Sequence, residues 1–112
     1  MQKFEYRTPR YDVDLPVLYL LEGAGIAGRC KEISKEGMRV EFRQPIALDS
    51  CGIIRISYKA LSLELRAAVA HAGSGYVALK FIFESEKDRG ALEHLVVLLA
   101  GPTGQLGPVL VQ

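Results

Sequence analysis

The chain has 112 residues and a mass of 12.3 kDa, which leaves room for one hydrophobic core and excludes a multi-domain arrangement. Hydrophobic residues make up 49% of it and charged residues 24%, as in folded globular domains, so extensive disorder is not expected. A formal net charge of +1 is too small for a protein that coats a nucleic acid polymer, so we expect any bound anion to be small and locally recognised.

Six segments have the composition and periodicity of β-strands. The clearest contains Met38, Val40 and Phe42, which alternate with charged residues and therefore share the core face of a strand. Turns rich in glycine, proline or polar residues separate the segments. In chain order, the predicted strands cover residues 13–21, 26–33, 38–42, 52–58, 61–71 and 76–83.

The pattern changes to that of a helix at Ser85. Ser85 and Asp88 resemble a capping box, and the pair Gly101-Pro102 is a stop signal, so about four turns are expected between them. The apolar residues with helical spacing are Leu92, Leu95, Val96 and Leu99. The predicted fold is therefore all-β with one C-terminal helix: a six-stranded antiparallel Greek-key barrel whose open end the helix covers.

The predicted helix has a second apolar face, because Val97 and Leu98 lie outside the first. We expect this face to contact a second copy in a homodimer, a protein partner, or the chain's own segment 108–111.

The cysteines and the hydropathy profile indicate a cytoplasmic protein. Cys30 and Cys51 lack the spacing of a zinc site, and we expect two buried, reduced thiols. No apolar run reaches the roughly 18 residues that span a bilayer, and residues 1–10 are polar and charged. We therefore expect neither a membrane span nor a signal peptide.

No catalytic constellation is recognisable. The sequence lacks a supported Ser-His-Asp or Cys-His arrangement and a glycine-rich phosphate loop. His71 and His94 are interpreted as ordinary surface or interface histidines. We expect no enzyme, no metal and no cofactor.

Three short motifs occur in a recognisable order. The arm Tyr6-Arg7-Thr8-Pro9-Arg10 precedes the first strand, the turn Glu32-Ile33-Ser34-Lys35-Glu36-Gly37 follows the second, and the third motif, residues 75–81, falls in the last strand. Together they resemble the PilZ domain family, which has an R-x-x-x-R arm, a [D/N]-x-S-x-x-G turn and a six-stranded barrel followed by a helix. Ala78 stands where many members have glycine. Tyr76 and Phe81 are interpreted as core residues rather than as ligand platforms.

The resemblance implies a ligand, the bacterial second messenger cyclic di-GMP, bound by arm and turn together. An arginine fork matches the O6 and N7 acceptors of guanine, and arginine also pairs with phosphates. The second arginine of the arm is Arg10, whereas the first position is Tyr6, with Arg7 one residue late; Arg39 is an additional candidate phosphate contact. In the turn, Glu32 replaces Asp or Asn, while Ser34 and Gly37 match.

Two functions remain open from the sequence. The first is a cyclic di-GMP binding module that relays the signal to a protein partner. The second is a degenerate PilZ domain that binds no nucleotide and acts as a protein-interaction adaptor. In either case we expect a ligand-binding arm at residues 1–12, a barrel with its helix at 13–101, and a tail at 102–112.

Overall fold

The computed structural model describes residues 9–100 of the chain, apart from the side chain of Ala100. Predicted and observed strand bounds agree to within two residues. Strand β1 begins at Tyr11, so residues 11 and 12, which we assigned to the arm, already pair with β2. The elements are β1 Tyr11–Leu21, β2 Ala24–Ile33, β3 Gly37–Phe42, β4 Cys51–Tyr58, β5 Leu61–Ala72, β6 Val77–Ile82 and α1 Glu86–Ala100.

The six strands form a closed antiparallel barrel in the order β1-β2-β3-β6-β5-β4, and β4 pairs with β1 to close it. Strands β4, β5 and β6 follow one another through short turns, whereas the connection from β3 to β4 passes over two strands. This is a Greek-key arrangement. The predicted fold class, a six-stranded antiparallel barrel with one C-terminal helix, is confirmed.

Alternate residues of each strand fill the barrel, as the period of two requires. Tyr19 is fully buried, and its hydroxyl donates a hydrogen bond of 2.9 Å to the carbonyl of Ala67 across the interior. Burial is the largest influence on this phenol, and it raises the pKa of Tyr19. Met38 and Val40 are buried as predicted, and Phe42 is half-buried and packs against the core.

Helix α1 completes the core with the predicted face. Its buried residues are Leu92, Leu95, Val96 and Leu99. At its start, the Ser85 hydroxyl accepts a hydrogen bond from the Asp88 amide at 3.2 Å, and the Asp88 carboxylate accepts one from the Glu84 amide at 3.3 Å. The predicted cap therefore forms. It differs from a standard capping box in one respect, because the Asp88 carboxylate accepts from the amide of Glu84 rather than from that of the N-cap residue Ser85.

The two thiols differ, which corrects the expectation that both are buried. Cys30 lies in the barrel interior, where burial raises its pKa to about 12. Cys51 is exposed, because Ile54, Ile56 and hence Gly52 face inward in β4 and leave position 51 on the outer face. In the described part of the chain, both thiols are free.

Candidate functional site

A cavity of about 470 Å³ opens on the outer face of the barrel, where the segment before β1 meets β2, β3, β5 and β6. This volume lies within the usual range of small-molecule sites. Five of the seven residues predicted to bind ligand line it, namely Arg10, Glu32, Ser34, Gly37 and Arg39. The other two, Tyr6 and Arg7, lie outside the described residues.

Strand pairing aligns the floor of the cavity as one lateral row. Glu32 of β2 is paired with Arg39 of β3, Arg39 with Ala78 of β6, and Ala78 with His71 of β5. Ala78 has a small side chain, so it leaves space above the centre of the row. The row therefore places a carboxylate, a guanidinium and an imidazole on neighbouring strands of one surface.

Two β-bulges turn the ends of this row outward. In β2 the register shifts between Cys30 and Glu32, and in β5 it shifts between Val69 and His71. Cys30 and Val69 are both buried, so strict alternation would direct Glu32 and His71 into the core. After each bulge the alternation of side chains between the two faces of the strand is reversed, so the side chains of Glu32 and His71 lie on the outer surface.

The turn between β2 and β3 is held by Ser34. The Ser34 hydroxyl accepts hydrogen bonds from the amides of Glu36 at 3.1 Å and Gly37 at 3.2 Å, and the Ser34 amide donates to the Gly37 carbonyl at 2.9 Å. The Ser34 residue is only 7% exposed. Its side chain therefore shapes the wall of the cavity by closing the turn.

Gly37 is required by the approach of β3 to β6. A Cβ atom at this position would lie 2.2 Å from the carbonyl oxygen of Leu79, far inside van der Waals contact. The turn is tied to the same strand by a 2.9 Å hydrogen bond from the Phe81 amide to the Glu36 carbonyl. The motif glycine thus sets the spacing of the two strands that carry Arg39 and Ala78.

Arg10 and Glu32 form an ion pair at the rim of the cavity. Nη1 of Arg10 lies 3.4 Å from Oε1 of Glu32, and the two side chains are 35% and 19% exposed. The arm arginine and the first residue of the turn motif are therefore in direct contact. In the described lining, Arg10, Arg39 and Lys80 supply three cations against the carboxylates of Glu32 and Glu36.

Lys31, next to Glu32 in the chain, is directed away from the cavity. Its ammonium lies 3.2 Å from Oδ1 of Asp14, which also receives Nε of Arg29 at 2.9 Å. The hydrogen bonds from Arg29 and Lys31 hold the pKa of Asp14 below its ordinary value. These two cations therefore belong to a separate surface cluster on β1 and β2.

Three lining residues were missed by the sequence analysis, which gave no site role to His71, Tyr76 or Lys80. Tyr76 is half-buried beside the cavity, with the guanidinium carbon of Arg39 5.6 Å from its ring centroid, so its interpretation as a core residue is wrong. A signal was present: Val77, Leu79 and Phe81 fill the core, so period-two alternation assigns positions 76, 78 and 80 to the outer face. Phe81 is a core residue, as predicted.

The described lining has the chemistry of a binding site. Its cationic groups suit an anionic group of a ligand, its carboxylates can accept hydrogen bonds from N–H groups, and its aromatic ring can pack against a flat ring. Between residues 9 and 100, no three His, Cys, Asp or Glu side chains converge on a possible metal position. Over the same range, no helix has the length and hydropathy that crossing a bilayer demands.

Comparison with known proteins gives a family and a set of related folds. The sequence model described as PilZ domain matches residues 5–98, and no curated protein matches significantly. The PilZ domain of CeSA from a cellulose-synthesizing bacterium superposes with a TM-score of 0.72 at 19% identity, covering 82% of this chain and 98% of that one.

Two longer proteins share the fold. MrkH of K. pneumonia, in a complex with c-di-GMP, has a TM-score of 0.67, and the Bacillus subtilis inhibitor of motility MotI/DgrA has one of 0.65. Each is 16% identical and covers 86% of this chain, which spans 52% of the first and 53% of the second.

Proposed function

Because the chain belongs to the PilZ domain family, we propose that it binds cyclic di-GMP in the cavity beside β2 and β3 and relays the signal to a protein partner in the cytoplasm. PilZ domains are regulatory binding modules, and we assign no catalytic step to this chain. The observation that carries the proposal is the convergence of Arg10, the Glu32–Gly37 turn and Arg39 on one cavity.

The chemistry of the lining suits the two kinds of group in the ligand. The guanidinium of Arg10 pairs with O6 and N7 of a guanine, and the Glu32 carboxylate accepts from guanine N–H groups. Arg39 and Lys80 face the two phosphodiester charges. A structural neighbour, MrkH, forms a complex with the same nucleotide, which supports this choice of ligand.

Ser34 and Gly37 act indirectly in this proposal. Ser34 uses its hydroxyl to close the turn, and Gly37 lets β3 approach β6. They shape the wall against which the ligand lies, so their loss weakens binding through the geometry of Glu32 and Arg39.

The expected affinity is lower than that of a site with both motif arginines. The first position of the arm motif is Tyr6, and one bidentate arginine contact to guanine contributes about 1 to 3 kcal/mol, or roughly 5- to 150-fold in affinity. Binding therefore depends on Arg10 first and on Arg7 second.

One observation favours the alternative function, a protein-interaction adaptor without nucleotide. Arg10 is engaged by Glu32 in an ion pair, so the ligand must exchange that contact for its own. If the exchange is unfavourable, the turn and the arm serve only to present a surface to a partner.

Titration calorimetry with cyclic di-GMP separates the two functions. We expect measurable heat for the wild type, loss of most of the affinity in Arg10→Ala, and weaker binding as salt rises, since the phosphates are charged. The matched control is Arg55→Ala, because Arg55 is likewise an arginine ion-paired with a glutamate, Glu64, but lies outside the cavity. Absence of heat for the wild type, or equal losses in both variants, would reject the nucleotide site.

A further inference from the structure

His71 occupies the end of the cavity that lies farthest from the arm. It stands in the lateral row that begins at Glu32, three strand spacings away, or about 14 Å measured along the curved wall of the barrel at the usual spacing of strands. Its side chain is exposed because the β5 bulge turns it outward. Arg10 and Glu32 therefore define one end of an elongated site, and His71 defines the other.

The imidazole is held against an aromatic neighbour. The rings of His71 and Tyr76 have centroids 6.0 Å apart at an interplanar angle of 41°, and Arg39 lies over the Tyr76 ring. The Tyr76 ring is itself supported by Gly73, where a Cβ would come within 2.4 Å of it. This packing limits the positions open to the imidazole and keeps it at the cavity wall.

We propose that His71 is a further ligand contact, which donates a hydrogen bond to a phosphate of the half of the ligand distant from Arg10, and that its protonation strengthens binding. This inference rests on the proposed nucleotide function. A cyclic dinucleotide carries the same groups in both halves, so a partner is needed at each end of the site. Imidazole is the side chain whose charge changes in the physiological pH range, and a cationic donor holds an anionic acceptor more strongly than a neutral one.

The groups around His71 set the background of the pH dependence. Across the cavity the charged or titratable lining groups are Arg10, Glu32, Glu36, Arg39, Tyr76 and Lys80. Outside the cavity, the backbone amide of Asp49, another titratable residue, donates a hydrogen bond of 3.2 Å to the Val69 carbonyl of β5. Ordinary carboxyl groups are ionised and ordinary Tyr, Lys and Arg groups protonated between pH 6 and pH 8, so imidazole is the side-chain group whose charge ordinarily changes in that window.

The test compares the two histidines of the chain. Calorimetric titration of the full chain with cyclic di-GMP is run at pH 6.0 and pH 8.0 for wild type, His71→Gln, His71→Lys and His94→Gln. His94 is an exposed residue of α1 and does not line the cavity, so it is the matched control. We expect about 5-fold tighter wild-type binding at pH 6.0, the upper end for one partly exposed charge pair.

The variants distinguish this inference from the proposed function. In support, His71→Gln removes the pH difference, His71→Lys binds with similar affinity at both pH values, and His94→Gln keeps the wild-type difference. Binding that is independent of pH in the wild type, or a difference that persists in His71→Gln, would overturn the role of His71 and leave the nucleotide site standing. Absence of wild-type binding at both pH values would overturn both.

Discussion

Gly37 provides a direct test of how the motif turn works, because the same substitution has the opposite sign at a second glycine. In Gly37→Ala the new Cβ would lie 2.2 Å from the Leu79 carbonyl oxygen, so β3 and β6 must separate by more than about 1 Å to reach ordinary contact. Forced separation of packed elements typically costs about 1 to 3 kcal/mol. At roughly 5 °C per kcal/mol for a domain of this size, the Tm should fall by about 5 to 15 °C.

Gly90 is the matched control for this prediction. Gly90 is a solvent-exposed residue within α1, and a Cβ there would meet no atom within 4 Å apart from the backbone of the helix itself. Gly90→Ala should therefore stabilise the fold by about 0.5 to 1 kcal/mol through helix propensity alone. Urea unfolding of both variants gives the comparison, and calorimetry below the Tm shows whether Gly37→Ala also weakens cyclic di-GMP binding. A urea midpoint for Gly37→Ala at or above that of the wild type would refute the packing role.

Three further predictions concern the ligand, the helix and the buried thiol. Tyr6→Arg combined with Glu32→Asp restores the family pattern and should tighten cyclic di-GMP binding in calorimetry. If neither wild type nor double variant gives heat, the arm and turn form no nucleotide site, and the adaptor function becomes the leading proposal. Val97 is 63% exposed and Leu98 42%, so we expect Val97→Glu to alter the mass in light scattering, the solubility or the Tm, and no change in any of these would disprove a second contact face. Burial raises the pKa of Cys30 from 9.0 to about 12, so the stabilisation from the neutral thiol is fully present below pH 9, and the free energy of unfolding should fall above pH 9 by up to about 1.4 kcal/mol per pH unit. In urea unfolding between pH 9 and pH 11, Cys30→Ala should therefore lose stability less steeply than the wild type. Parallel curves for the two proteins would contradict this.

The elements of the fold were predictable because their signals are local. Met38, Val40 and Phe42 share a face through the two-residue period, and Leu92, Leu95 and Val96 share one through the helical period. The order of the strands in the barrel was not predicted, since alternation along one strand does not specify which strand lies beside it.

The two ends of the cavity were not predictable by the same rule. Alternation from the buried Cys30 and Val69 would place Glu32 and His71 inside the barrel, and only a bulge in each strand reverses this. A bulge inserts one extra residue into one of the two paired strands. Neither glycine nor proline occurs at the two bulges, so the sequence gives no signal for them. Glu32 was found through the motif, whereas His71 had no motif to identify it.

The structure also separates the motif into residues that build the turn and residues that face the cavity. Ser34 closes the turn with its hydroxyl, and Gly37 admits the Leu79 carbonyl, so their match to the family pattern predicts a well-formed turn whether or not a ligand binds. Glu32 and Arg10 carry half-buried charged groups that pair at the rim. The departures from the family pattern, Tyr6 and Glu32, are therefore not the residues that close the turn, and if the proposed function is correct, we expect restoring them to change the affinity for nucleotide more than the stability of the turn.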